Sequence, residues 1–236
     1  MVSMIDKRMS CRSYTDRPVE DSVWEKLRNF QMKPLDPEIG VRWEVVSREN
    51  IRCICKFTTP QLIAIYSEKK PGYLENVGFM FQQMELYLHS LGLGVCWLGL
   101  GRPNETVANL VPGMDFVILL TVGYPDGQFR NGPEDFQREP MEKITDIPDH
   151  RLEPARIAPS SCNSQPWYFT HEGDQIHVYW DQHGLLKRKI LEYFNPIDMG
   201  IALAHLYLTN PDTFRFYRKT DMTAPKGRVY IGTITL

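Results

Sequence analysis

Apolar side chains recur at Tyr73/Leu74, Val77, Met80/Phe81, Met84, Tyr87/Leu88 and Leu91, the spacing of a helix with a wide buried face. The pattern predicts a helix over 73–91, stopped by Gly92-Leu-Gly94. Residues 61–66 are almost continuously apolar and read as a central strand, with Pro60 at its edge where a missing N–H is tolerated. Further strands are predicted at 41–46, ahead of an irregular stretch at 53–59, and at 116–123. An amphipathic segment at 22–30 reads as a helix capped by Asp21 or Ser22, with Glu25 placed to close a capping box on Ser22.

From 124 to 153 the chain is polar apart from Phe129 and Phe136, and reads as a linker stiffened at its end by Pro148 and Pro154. Beyond it, Trp167 opens a strand over 167–170, joined through Glu172-Gly-Asp174 to an alternating strand at 175–180. A helix over 197–208, starting from Asn195 or Pro196, and a strand at 229–234 complete the pattern, while Lys187-Arg-Lys189 reads as a solvated face. Glu85-Leu-Tyr-Leu88 is echoed by His205-Leu-Tyr-Leu208, and Trp43 by Trp167, each about 120 residues on. The expected fold class is therefore α+β, with mixed or antiparallel sheets flanked by helices and an internal duplication into halves 1–147 and 148–236.

Composition narrows the partners. With 27 basic and 29 acidic side chains in 236 residues, the net charge of −2 supplies no field for nucleic acid or an anionic membrane. Five cysteines, at 11, 53, 55, 96 and 162, form no disulfide framework, and the N-terminus lacks the apolar core of a signal peptide. The expectation is a cytoplasmic protein acting on small molecules. Metal binding has little support: Cys53-Ile-Cys55 has the wrong spacing for zinc, and His171-Glu172 has Gln175 where a second histidine would be needed. Asn104-Glu-Thr106 matches a glycosylation sequon that a cytoplasmic chain would not use.

Two stretches carry candidate chemistry. Arg8, Ser10 and Arg12 would line one side of an extended segment, or Arg8 and Arg12 would meet one turn apart on a helix, and two guanidinium forks with a hydroxyl suit a phosphate; the same residues would also make a solvated basic end. Residues 158–169 place Ser160, Ser161, Asn163 and Ser164 between Pro159 and Pro166, which makes either a turn into the following strand or a stiff loop presenting donors. The glycines of 92–101 do not form a dinucleotide fingerprint, because they follow a helix and lead into a strand; they allow the backbone to approach a flat ligand. Arg138 follows the central strands at a place where an anion could be held.

Together, Arg8-x-Ser-x-Arg12 with Pro18-Val19, Gly92-Leu-Gly-x-x-Trp-Leu-Gly99, Val122-Gly-Tyr-Pro125 and Pro159-Ser-Ser-x-Asn-Ser-Gln-Pro-Trp167 resemble the signature set of FMN-dependent nitroreductases. The order departs from the usual one, in which the Ser-Asn-Gln-Pro-Trp loop precedes the Gly-Leu-Gly segment, and is similar to a subgroup in which two family-like halves are fused. The resemblance implies a pseudo-dimeric chain with one retained flavin site and a second that has decayed. It implies that Arg8 and Ser10 bind the phosphate and ribityl end, that Arg12 lies toward the ribityl chain or the flavin N1/O2 edge, and that Arg138 completes the phosphate pocket. Backbone at Leu98, Gly99 and Leu100 would approach the ring near N5, and Pro159, Ser160, Ser161 and Asn163 would contact it from the other half. The implied activity is transfer of hydride from NAD(P)H through FMN to a nitroaromatic, quinone or similar acceptor. Related chemistry such as reductive dehalogenation, or a flavin-binding sensor or carrier without turnover, is the alternative.

Overall fold

The computed structural model describes residues 1–54, 61–182, 189 and 191–236. Cys55, Pro60 and the basic pair Lys187-Arg188 lie outside the described residues. The chain divides into two compact units, one of residues 1, 3–73 and 83–132, the other of residues 2, 74–82 and 133–236. Among the described residues no helix is long and apolar enough to cross a membrane.

The first unit is built on an antiparallel sheet of β1 (Val41–Ser47), β3 (Gln61–Ser67), β4 (Gly94–Leu98) and β6 (Asp115–Gly123), in the order β1-β3-β6-β4. The continuous apolar runs become the two central strands, since both faces of β3 and β6 are covered, whereas β1 alternates and forms an edge. A two-stranded ribbon, β2 (Ile51–Arg52) with β5 (Arg102–Pro103), adds Ile51 to a core of Val46, Leu62, Ala64, Tyr66, Leu98, Val107 and Leu119. Asn104, in the discarded sequon, caps α3 (Glu105–Ala108) by accepting the Val107 N–H at 3.0 Å.

Helix α1 (Asp21–Asn29) buries Val23, Trp24 and Leu27. The expected capping box on Ser22 does not form: the helix starts at Asp21, two residues before the Val23 start such a box requires, with Glu20 as the cap in extended backbone and no side-chain cap bond. The Glu20 carboxylate is taken up by Arg17 and the Tyr124 hydroxyl, and Ser22 falls inside the first turn. Helix α2 (Tyr73–Ser90) ends as the glycines predict, with Gly92 left-handed at φ 82° and Leu93 N–H bonded back to the Leu88 carbonyl at 3.0 Å.

The second unit repeats the plan. Its antiparallel sheet runs β7 (Trp167–Glu172), β8 (Gln175–Asp181), β10 (Arg228–Thr235), β9 (Arg215–Tyr217), so that in each sheet the fourth strand separates the second from the third. Trp43 and Trp167, paired in the sequence echo, belong to the first strand of their respective sheets. Strand β9 escapes sequence reading because three residues at a sheet edge carry no periodicity. The polar stretch read as a linker supplies the short helix α4 (Met141–Ile144) and ends where α5 (Glu153–Arg156) begins, and Thr145 bridges to Phe169.

Residues 74–82 of α2 and helix α6 (Asn195–Thr209) belong to this unit and touch backbone to backbone. A Cβ on Gly78 would stand 2.0 Å from the Ile197 carbonyl oxygen, and one on Gly200 would stand 2.0 Å from that of Glu75. The contact is reciprocal, each glycine meeting the carbonyl three residues before the other. Glycine to alanine in a helix ordinarily gains about 1 kcal/mol. Here the obstacle is main chain, which cannot rotate away, and overpacking of this kind costs about 1–3 kcal/mol or more. Gly78→Ala and Gly200→Ala should therefore each lower the urea midpoint at unchanged slope, the opposite sign to helix propensity.

Candidate functional site

In the first unit, the segment carrying Arg8, Ser10 and Arg12 docks on the free edge of β4. Ser10 pairs in parallel with Val95, Cys11 N–H donates to the Val95 carbonyl at 2.9 Å, and Thr15 N–H donates to the Tyr124 carbonyl at 2.9 Å. Tyr14 donates its hydroxyl to the Cys11 carbonyl at 2.8 Å and meets Thr121 Oγ1 at 2.6 Å. Two glycines make this approach possible. A Cβ on Gly94 would lie 2.6 Å from Cys11 Sγ, and one on Gly123 would lie 2.8 Å from the Tyr14 ring. The Gly-Leu-Gly motif thus admits the chain's own N-terminal segment.

The two arginines have different fates. Arg8 is 1% exposed, its Nε donating to Glu85 Oε1 at 3.0 Å and its Nη2 to Ser10 Oγ at 3.1 Å; Glu85 is fully buried. The Arg8 carbonyl accepts from the Arg130 guanidinium. Arg12 is exposed and bonds only weakly to its own segment, Nη1 to the Ser10 carbonyl at 3.3 Å. Ser10 Oγ accepts from Arg8, and its own hydroxyl proton is a further donor. At the end of β4, Leu98 is buried in the core, the Gly99 carbonyl accepts from Arg102 Nη1 at 3.0 Å, and Leu100 is 49% exposed. The first unit thus brings together Arg8 and Ser10, with Arg12 on the same segment, beside the strand that leads to Leu98, Gly99 and Leu100.

In the second unit, Pro159 is buried and the loop after it holds three non-glycine residues in left-handed backbone, Cys162, Asn163 and Gln165, at φ 52°, 53° and 48°. Such backbone costs about 1–2 kcal/mol per residue, least for asparagine. The concave run of N–H groups that it creates is filled from within: Asn163 N–H bonds the Ser160 carbonyl, Ser164 N–H the Ser161 carbonyl, and Gln165 N–H bonds Ser160 Oγ at 2.9 Å. Arg138 lies against the loop and bonds the Asn163 side chain. Ser161 donates its N–H and its hydroxyl to Asp198 Oδ1, at 3.0 and 3.2 Å.

Glu85 and Asp198 were not singled out in the sequence. The available signal was a lone acid within an otherwise apolar helix face, in Met-Glu-Leu and Ile-Asp-Met respectively. Among the described residues no cluster of three or more His, Cys, Asp or Glu side chains could hold a metal.

Burial pushes the Asp198 carboxyl well above the usual carboxylate range, outweighing the bonds from Ser161 and the influence of Ser164, which lower it. A group whose pKa is higher folded than unfolded contributes most below its unfolded value, about 3.9. That contribution is lost as pH rises through the folded value. Asp198→Asn keeps an oxygen for Ser161 and carries no charge. Its urea midpoint should exceed the parent's at about pH 8, with the difference narrowing toward about pH 4.

A family model described as "Putative TM nitroreductase" matches residues 1–210. Among solved structures, a protein described as a putative nitroreductase from Thermotoga maritima is 21% identical, with TM-score 0.68 over 99% of this chain and 91% of its own. That likeness shows a shared fold over the whole length. An FMN-dependent nitroreductase from Clostridium difficile R20291 is 16% identical over 59% of this chain and 97% of its own, with TM-score 0.48. A nitroreductase family protein from Clostridium difficile 630 is 19% identical over 61% and 95%, with TM-score 0.47. No curated protein matches. The match of the family model over most of the chain, on a fold of two antiparallel sheets of equivalent strand order, places this protein in the TM-type nitroreductase family.

Proposed function

We propose that the protein is an FMN-dependent oxidoreductase that takes electrons from NAD(P)H and delivers them to a nitroaromatic, quinone or similar small acceptor. The observation that carries this reading is the donor set of the first unit: an exposed guanidinium at Arg12 and a Ser10 hydroxyl with its proton free, on one segment beside the Leu98–Leu100 turn. These groups are donors, which fits the phosphate and the electron-rich edge of FMN. Bound FMN would supply reversible two-electron chemistry, so the protein need only bind, orient and tune it.

Within that set the residues divide the work. Arg8 is neutralised by Glu85, so it contributes orientation, holding the Ser10 oxygen from behind so that the hydroxyl proton points away. Arg12 supplies the positive charge, suited to the phosphate or to negative charge at the flavin N1/O2 edge. Leu100 offers an apolar surface and the Gly99 carbonyl is turned to Arg102. In the second unit, Ser160 Oγ accepts from Gln165 N–H at 2.9 Å and keeps its own proton to donate, and Pro159, Ser160, Ser161 and Asn163 are included in the proposal as FMN contacts.

The reading is tested by loading purified protein with FMN and adding NADH or NADPH without oxygen. Bleaching of the flavin band followed by recovery on adding a quinone or nitroaromatic supports it. Flavin that binds and resists both donors would mark a binding protein, and failure to bind FMN would end the proposal. Arg12→Ala should weaken FMN binding about tenfold to a hundredfold, the worth of a charge-assisted bond, with the melting temperature unchanged. Arg8→Met should instead destabilise the fold by about 3–5 kcal/mol by stranding the Glu85 carboxylate, and Arg8→Met with Glu85→Leu should recover much of the loss.

A further inference from the structure

Arg138 is laid flat along the loop that follows Ile157. Its Nε donates to the Ala158 carbonyl at 3.1 Å, its Nη2 to the Ile157 carbonyl at 3.3 Å, and its Nη1 to both the Gln137 carbonyl at 3.0 Å and Asn163 Oδ1 at 2.7 Å. The other end of the Asn163 amide donates to the Gln137 carbonyl at 3.1 Å, so the side chain is held at both ends. The guanidinium also lies 5.4 Å from the centre of the Phe136 ring, which is itself buried. The loop's remaining amide is treated in the same way: Gln165 Oε1 accepts the Glu139 N–H at 2.8 Å and Nε2 donates to the Asn163 carbonyl at 3.3 Å.

Four of the guanidinium's hydrogen bonds therefore go to neutral oxygens of residues 137, 157, 158 and 163. A fork spent in this way is a splint, because its planarity fixes the relative positions of four separate acceptors. Ser161 is tied separately, through its N–H and hydroxyl, to Asp198 on α6. Of the three left-handed residues, Cys162 lies between the anchored Ser161 and Asn163, Asn163 is itself held by Arg138, and Gln165 follows two residues on; such backbone persists only where the surroundings determine it.

We propose that Arg138 is a positioning residue: with Asp198 it clamps the 157–165 loop in its left-handed conformation, and thereby sets the Ser160 hydroxyl for the flavin, without itself binding the flavin phosphate. The inference rests on the FMN reading for the ligand, and on the loop geometry for the clamp.

The experiment compares FMN with riboflavin, which lacks the phosphate, and follows backbone hydrogen exchange in peptides covering 157–166. Arg138→Ala should speed exchange in those peptides, leave the rest of the chain unchanged, and weaken FMN and riboflavin by the same factor, about tenfold. Arg138→Lys should restore neither, because an ammonium keeps the charge and loses the fork. Asn163→Gly, which keeps the left-handed backbone and removes one anchor, should shift both readouts in the same direction by less, and serves should Arg138→Ala not fold. A loss confined to FMN, with riboflavin binding and exchange unchanged, would assign Arg138 to the phosphate and overturn the proposal, as would full rescue by lysine. Were the parent protein to bind neither flavin, the FMN reading would fail and take the Ser160 contact with it. The exchange measurement would still decide the clamp, faster exchange at 157–166 supporting it and unchanged exchange refuting it.

Discussion

A guanidinium and a carboxylate sealed from water, Arg8 and Glu85, set the conditions for the first unit's candidate chemistry. Neither charge is tolerable alone in that environment, so the pair is formed or the segment is not seated. Once seated, Arg8 holds the Ser10 oxygen, the parallel pairing with Val95 closes the edge of β4, and Arg12 is left as the outward charge. Gly94 and Gly123 are small because Cys11 and Tyr14 occupy the space a side chain would need.

The second unit solves the same problem with different residues. A buried carboxylate on a helix, Asp198, again reaches a serine of the polar segment, and an arginine again spends its fork within the protein. In each unit a buried acid on a helix, Glu85 or Asp198, orders a polar segment from behind, helped in the second unit by the half-buried Arg138, so that the segment's outward groups are arranged in advance. Such preorganisation lowers the ordering cost of binding. The strained loop is where that cost is concentrated, with three left-handed residues at and just beyond its anchored positions Ser161 and Asn163.

Internal duplication connects the two solutions. Both sheets carry their strands in the same relative order, with the long helix between the second and third strands. The reciprocal contact of Gly78 and Gly200 repeats one local geometry at two places in the chain, in keeping with the separation of the two tryptophans and of the Leu-Tyr-Leu echoes. The residues that carry chemistry have diverged more than this scaffold, as expected when sheet order and helix contact are set by many small terms and a site by a few polar groups.

The sequence by itself determined the elements: helices at 73–91 and 197–208, the continuous apolar runs that became central strands, the hairpin at Glu172-Gly-Asp174, and the echo that marks the duplication. These follow from periodicity and turn chemistry, which are local and need no partner. It also marked the polar segments around residues 8–12 and 158–163 as unusual. Only the tertiary structure decided how they are used. That Arg8 turns inward rather than out depends on Glu85, 77 residues away. That Arg138 lies along a loop depends on where the carbonyls of Ile157 and Ala158 point, and the cap of α1 depends on Tyr124 drawing off Glu20. A charge declares its presence in the sequence, whereas its partner is chosen through space, by what burial forbids it to leave unpaired.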